Sequence, residues 1–167
     1  MRGVAGARPA VGNLLDIGLC DITVSRMLPP GVPVQRFELH GVLGGEVVDV
    51  QTAATLDFGA GRWSQCHCGF FGTGDNRFRG LGKRGHITIH GGFWEANAAT
   101  LQRDGQPARA AREPSRVNGF EDEIEEAMRC VHAGLIESPR LPHAESLAVI
   151  EWIDAMRTRL GVVYRFE

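Results

Sequence analysis

Residues 47–58 read VVDVQTAATLDF, and this stretch decides the fold class. Alternate positions form one mainly apolar face, which holds Val48, Val50, Thr52, Ala54, Leu56 and Phe58. The other positions hold Asp49, Gln51, Thr55 and Asp57, with Ala53 among them. Because successive side chains of a strand point to opposite faces of the sheet, this alternation predicts a strand with one face against the core.

The surrounding segments extend this strand into a sheet. Residues 34–42, 62–71 and 86–90 show similar alternation, and Gly59-Ala60-Gly61 is typical of a hairpin turn. Residues 93–117 predict one or two short strands around a turn at residues 103–107. Short glycine-containing turns between alternating strands indicate an antiparallel sheet with one covered face.

Three other segments carry apolar residues at helical spacing. The first helix is predicted over residues 14–28, the second ends at Gly134, and the third ends at Gly161. The predicted class is therefore α+β, an open and mostly antiparallel sheet with an N-terminal helix and two C-terminal helices packed on one face. We predict a flexible lead-in over residues 1–11 and one domain over residues 12–167.

The composition excludes several classes of protein. The 167 residues suit one domain, and the formal net charge of −2 gives no electrostatic footprint for nucleic acid or an anionic membrane. No apolar run approaches the roughly 20 residues that a membrane helix needs. The N-terminus lacks the apolar core of a secretory signal, and the four cysteines are scattered, so we expect a cytoplasmic protein without disulfides.

One glycine motif resembles a nucleotide-binding loop. Gly80-Leu81-Gly82-Lys83-Arg84-Gly85 matches GxGxxG literally. A dinucleotide-binding loop follows a strand and opens a helix, whose N-terminal amides hold the pyrophosphate. Here the following residues, 86–90, are strand-like. We therefore interpret the motif as a turn between strands.

A cluster of cysteine and histidine residues suggests a zinc site. Cys66-His67-Cys68 could combine with His86 and His90, which share one face of their strand. The cysteine spacing is not the C-x-x-C of structural zinc sites, and free cysteine usually behaves as a small buried hydrophobe. We therefore interpret these cysteines as buried core residues, and no metal site is predicted.

Asp16 and Cys20 are four residues apart on the first predicted helix and so share a face. An acid and a thiol so placed can orient a substrate and move a proton. The alternative is that Asp16 stabilises the helix start and Cys20 belongs to the core. Spacing alone favours this alternative.

Six segments together carry a family resemblance. They are Gly12-Asn13-Leu14-Leu15-Asp16-Ile17-Gly18, residues 47–54, residues 85–89 with Phe93-Trp94, residues 119–126, residues 133–139 and residues 154–157. In this order and spacing they resemble the C-terminal domain of the Gfo/Idh/MocA oxidoreductases, close to the dihydrodiol dehydrogenase branch. The resemblance covers residues 12–167.

The resemblance implies an open sheet that binds substrate on one side and forms the oligomer interface with its exposed face. It also implies NAD or NADP on a separate N-terminal Rossmann domain, which supplies a lysine in a Glu-Lys-Pro motif. This sequence contains no Glu-Lys-Pro. We therefore expect a fragment or split subunit that does not bind the nucleotide alone and that pairs with a separate Rossmann-domain subunit.

The resemblance also implies roles for residues of the first helix. The family's acid position falls on Asp16, and Asn13 joins it as a substrate-binding residue. The proton-transfer position, usually His or Tyr, holds Cys20, so Asp16 and Cys20 are the candidate catalytic pair. The implied reaction is NAD(P)-dependent oxidation or reduction at a sugar, polyol or diol hydroxyl.

An alternative function involves no catalysis. The chain would then be a module that forms at least a dimer through its sheet or binds a small polar ligand. Its ligand or partner face would carry Asp49, Gln51, Thr55 and Asp57.

Overall fold

The computed structural model describes residues 12–28, 31–45 and 47–164. The predicted lead-in, residues 1–11, lies outside the described residues. The described chain divides into two compact units, which are presented separately. The first unit runs to Gly72 and resumes at Ala144, and the second is Thr73–His143.

The first unit is built on a three-stranded antiparallel sheet. Its strands are β1 (Arg36–Leu43), β2 (Asp49–Gly59) and β3 (Arg62–Gly69), with β2 in the centre. A π-helical turn at Leu14–Gly18 leads into helix α1 (Leu19–Met27). The last helix of the chain, α3 (His143–Leu160), adds its residues from Ala144 onward to this unit.

The core of the first unit lies on the inner face of β2. Leu56 and Phe58 are fully buried there, packed with Ile22 of α1 and Ile153 and Met156 of α3. Apolar burial of this kind is the main favourable contribution to folding. The alternation predicted for residues 50–58 is therefore confirmed by the burial of this face.

Asp49 is a correction to that alternation. It was predicted on the open face, but it is fully buried. The reason is a bulge in the β1–β2 pairing: Val42 pairs with Gln51, and Leu43 already pairs with Asp49. Because a bulge puts an extra residue in one strand and re-aims the side chains around it, the strict alternation ends at this point.

The second unit contains a four-stranded antiparallel sheet in sequential order. Its strands are β4 (Phe78–Gly82), β5 (Gly85–Ile89), β6 (Ala98–Arg103) and β7 (Arg109–Arg112). A short 3₁₀ turn covers Phe93–Glu95, and helix α2 (Glu121–His132) follows the sheet. The strands predicted around the turn at residues 103–107 are confirmed as β6 and β7.

The predicted α+β class is confirmed, although the strands form two sheets. The GxGxxG motif is the hairpin between β4 and β5, as predicted. Gly85 has a φ of 139°, and a Cβ there would lie 2.0 Å from the Gln102 backbone oxygen of β6. This glycine is therefore required by close strand packing. In the described part of the chain, no helix is long and apolar enough to cross a membrane.

Candidate functional site

The candidate site is built on the π-helical turn at Leu14–Gly18. A π turn holds one more residue than an α turn, is rare, and occurs frequently at functional sites. Gly18 closes it: a Cβ there would lie 3.1 Å from the Leu14 side chain and 3.3 Å from the Cys68 sulfur. The small residue thus lets the widened turn approach β3 closely.

The Asn13 side chain anchors the start of the π-helical turn to the sheet. Its side chain is fully buried, and its Nδ2 donates to Asp49 Oδ2 at 2.8 Å and to Thr52 Oγ1 at 3.3 Å. Its Oδ1 accepts a hydrogen bond from the Cys68 thiol at 2.7 Å. The amide therefore links the turn to β2 and β3. A substrate-binding role for Asn13 stays a prediction, and the geometry gives it a positioning role.

Asp49 is the second anchor of the turn. Its Oδ2 also accepts the backbone N–H of Leu14 at 2.7 Å. The first N–H groups of a helix have no hydrogen-bond partner within the helix, and a carboxylate beside them is stabilised because it accepts from these groups. Among the described residues, Oδ1 has no hydrogen-bond partner.

Gly12 lies directly against this carboxylate. A Cβ at Gly12 would lie 1.8 Å from Asp49 Oδ1, which leaves no room for a side chain. The Gly12 backbone N–H donates to the hydroxyl of buried Tyr164 at 3.1 Å. The first glycine of the G-N-L-L-D-I-G segment is thus required by packing.

The predicted catalytic pair lies on the outer side of the turn. Asp16 is exposed and Cys20 is half-buried. Burial raises the pKa of the Cys20 thiol, and the charges of Asp21 and Asp16 raise it further. The structure therefore brings Asp16 and Cys20 together and keeps the thiol protonated at neutral pH. Their catalytic roles stay predictions.

Asp21 is a further residue of this site, and sequence reasoning did not select it. It is half-buried, and burial raises the pKa of its carboxyl to about 6. Its charge also raises the pKa of the Cys66 and Cys68 thiols, so it lies within electrostatic reach of both. The sequence feature that could have pointed to Asp21 is its position directly after the candidate residue Cys20.

The strand cysteines behave as buried thiols. Burial, followed by the charge of Asp21, raises the pKa of Cys66 to about 12, and burial also raises the pKa of Cys68. His67 lies on the opposite face, where its Nε2 is 2.9 Å from Gln51 Nε2. Within residues 12–28, 31–45 and 47–164, no three potential ligands are arranged to hold a metal ion.

Comparison with known proteins gives relatives of about twice this length. No family model matches the chain. It is 30% identical over 158 residues to a trans-1,2-dihydrobenzene-1,2-diol dehydrogenase from Danio rerio, a match that covers 92% of this chain and 47% of the relative. The predicted resemblance to the Gfo/Idh/MocA oxidoreductases is confirmed. The chain spans about half the length of the curated relative it matches.

Two solved structures show the same fold. An aldose-aldose oxidoreductase from Caulobacter crescentus, complexed with glycerol, is 22% identical with a TM-score of 0.71, covering 90% of this chain and 45% of that one. A 3-ketoreductase from Actinomadura kijaniata, in complex with NADP and TDP-benzene, is 25% identical with a TM-score of 0.67, covering 88% and 45%. Both structures are therefore matched over about half their length by this chain.

The glycine motif Gly80–Gly85 does not fit a nicotinamide nucleotide. Gly80 and Gly82 lie in β4, and Gly85 begins β5. A dinucleotide phosphate needs the N-terminus of a helix after such a loop, and a strand stands there instead. No step of a reaction is therefore assigned to a nucleotide bound at this motif.

The Gly12→Ala substitution tests the packing of the turn. Because the added Cβ overlaps Asp49 Oδ1, we expect a loss of about 1–3 kcal/mol in the free energy of unfolding, the usual range for overpacking a buried site. The measurement is urea unfolding followed by far-UV circular dichroism. Gly72→Ala is the matched control, since a Cβ at Gly72 meets nothing within 4 Å. Equal stability of the two variants would contradict the packing argument.

Proposed function

We propose that this chain is the substrate-binding and oligomerisation part of an NAD(P)-dependent oxidoreductase that acts on a hydroxyl of a sugar, polyol or diol. The observation that carries the proposal is the match of 92% of the chain to 47% of a dihydrobenzenediol dehydrogenase. The aldose-aldose oxidoreductase, a carbohydrate enzyme by its name, supports the substrate class through its fold.

The geometry of the turn supports a hydroxyl-binding role for Asp16. Its carboxylate is exposed in the middle of a turn that is anchored to the core by the buried hydrogen bonds of Asn13 and Leu14 to Asp49. An exposed carboxylate accepts a hydrogen bond from a substrate hydroxyl and fixes its orientation. Binding groups placed on such supported elements hold their geometry more precisely than groups on loops.

The cofactor would reach this site from a Rossmann fold outside the described residues. A bound nicotinamide exchanges a hydride with the substrate carbon. The residues of this chain would supply the other part of the site, namely the hydroxyl-binding carboxylate and its neighbours.

Titration with a diol tests the proposed substrate class. Amide NMR spectra of the isotope-labelled chain, titrated with trans-1,2-dihydrobenzene-1,2-diol and separately with glycerol, are expected to change at residues 14–21. Asp16→Asn is expected to weaken diol binding at least about tenfold, because it removes a charge-assisted hydrogen bond. Asp104→Asn, in an exposed turn, is the matched control. Equal binding by both variants would remove Asp16 from the site.

Nucleotide binding tests whether the cofactor belongs to a partner. We expect no heat of binding when NADH or NADPH is titrated to millimolar concentration into the chain alone, because its glycine motif is a hairpin. Saturable binding would instead make this chain the cofactor-binding polypeptide. Addition of a candidate Rossmann-domain subunit is the positive control.

The outer face of the β1–β2–β3 sheet supports a role in self-association. Its central cross-strand row is His40, Ala53 and His67, flanked by Thr55 on one side and Gln51 on the other. These side chains are exposed or half-buried. A face with the small residue Ala53 at its centre and no Asp, Glu, Lys or Arg in this row suits contact with a second copy. The same face also supports the alternative of a non-catalytic dimerisation module.

Light scattering tests the self-association. We expect the wild-type chain to be at least a dimer, and Ala53→Arg to be a monomer, because a symmetric interface would then bury two added positive charges. Ala96→Arg, at an exposed loop residue, is the control and should leave the mass unchanged. A wild-type monomer would contradict this part of the proposal.

A further inference from the structure

Helix α2 of the second unit carries its apolar residues on the side that faces solvent. Phe120, which directly precedes the helix, is followed by Ile124, Met128 and Val131 at the spacing of one helix face. Each of the four is more than half exposed, with values from 54% to 73%. We call these four residues the α2 stripe. A surface helix normally turns such a stripe toward its own core, so α2 is the reverse of the usual arrangement.

The other side of α2 is held by polar contacts. Cys130 is buried there, and the side chain of Glu126 is only 13% exposed. Glu126 Oε1 accepts from the Ser138 hydroxyl at 2.6 Å and from Arg129 Nη2 at 2.7 Å. The Ser138 contact ties the helix to the segment that follows it. The helix is therefore anchored through its polar side, and the α2 stripe stays accessible.

The size of this apolar surface marks it as a contact site. Three further apolar residues that follow the helix in the chain, Leu135, Ile136 and Leu141, are 44%, 89% and 48% exposed. Single exposed apolar side chains are ordinary on a protein surface. A row of four on one helix face is not ordinary, since contiguous exposed apolar surface typically marks an interaction site.

The charges along α2 indicate what kind of partner fits. The first turn holds the acidic residues Glu121, Asp122 and Glu123, and the last turn holds the basic residues Arg129 and His132. A second copy of the helix in antiparallel orientation would place the acidic end of each helix beside the basic end of the other. A parallel copy would instead place like charges together, which is unfavourable.

The spacing of the α2 stripe fits the same antiparallel orientation. Its four residues are distributed evenly about the middle of the helix, near Glu126. A twofold axis at that point would bring Ile124 of one copy beside Met128 of the other, and Phe120 beside Val131. A twofold interface uses the same patch on both subunits, so each of these contacts would occur twice. Charge and apolar spacing therefore favour one arrangement of two copies.

We propose that the α2 stripe is a contact between two copies of this chain, which pair antiparallel about a twofold axis near the middle of α2. This α2 contact is separate from the self-association proposed for the β1–β2–β3 sheet, and together the two contacts would join sheet-paired dimers into larger assemblies. A helix of 12 residues is about 18 Å long, so the α2 contact is small. Interfaces at the small end of the range are weak, and we expect a dissociation constant on the order of 100 µM.

Sedimentation equilibrium of the Ala53→Arg chain isolates the α2 contact, because this variant is designed to remove the sheet contact. We expect monomers at about 5 µM and mostly dimers at about 1 mM, as a dissociation constant on the order of 100 µM requires. Adding Ile124→Glu would bury two carboxylates near the axis and is expected to weaken this association at least about tenfold. Leu81→Glu is the matched control, since Leu81 is a 75% exposed aliphatic residue of β4 outside the α2 stripe. An association that Ile124→Glu leaves unchanged would overturn the proposal.

The salt dependence of the association tests the antiparallel orientation. Salt screens the attraction between unlike charges, so we expect the dissociation constant of the Ala53→Arg chain to rise about two- to fivefold between about 0.05 and 0.5 M NaCl. A parallel pair would bring like charges together, and its association would strengthen over the same range. Association that is unchanged or stronger at high salt would therefore overturn the antiparallel pairing.

The α2 contact and the sheet contact can fail separately. A wild-type dimer that survives Ala53→Arg and dissociates with Ile124→Glu would refute the sheet contact and support the α2 contact. A wild-type chain whose assembly grows no further than a dimer at about 1 mM, and is the same with and without Ile124→Glu, would overturn the α2 contact alone. Circular dichroism checks that Ile124→Glu is folded, and Met128→Glu, at a second exposed position of the α2 stripe, repeats the test if it is not.

Discussion

The rest of the first unit depends on the buried carboxylate of Asp49. One oxygen accepts both the Asn13 side chain and the Leu14 backbone N–H, at 2.8 and 2.7 Å. Burying a charge is costly unless hydrogen bonds compensate it, so these donors are held in place strongly. Through Asn13 the same carboxylate reaches Cys68, and beside it Gly12 binds Tyr164. Strands β2 and β3 and the segment at Tyr164 thus meet at the π-helical turn.

The sequence predicted the fold best where one local pattern had one physical cause. Residues 50–58 alternate because β2 covers the core with one face, and the burial of Leu56 and Phe58 follows directly. The pattern could not reveal the bulge that buries Asp49, because a bulge is a property of strand pairing. Strand β4 was missed for a related reason, since Phe78–Gly82 is glycine-rich and mostly exposed. The division of the strands into two sheets was not predicted either, because it depends on which strands pair with one another.

The catalytic roles of Asp16 and Cys20 stay predictions. Helical spacing placed these two residues on one face because that relation is local, and the charge of Asp16 does raise the pKa of the Cys20 thiol. The π-helical turn was not predicted, since it results from side chains on β2 and β3. Asp21 was not selected because its significance comes from burial against a strand more than forty residues away in sequence. A local sequence pattern predicts which residues share a face of a helix or strand. The electrostatic environment of a residue depends in addition on how the helices and strands pack against one another.

The side chains that hold the turn all point inward, and those that would meet a ligand point outward. Asn13, Asp49 and Cys68 fix the backbone, while positions 16 and 20 take no part in that network. An exchange at position 16 or 20 would therefore change the group offered to a ligand while the hydrogen bonds that hold the turn stay in place. The chemistry of this surface can thus be varied independently of the fold that supports it.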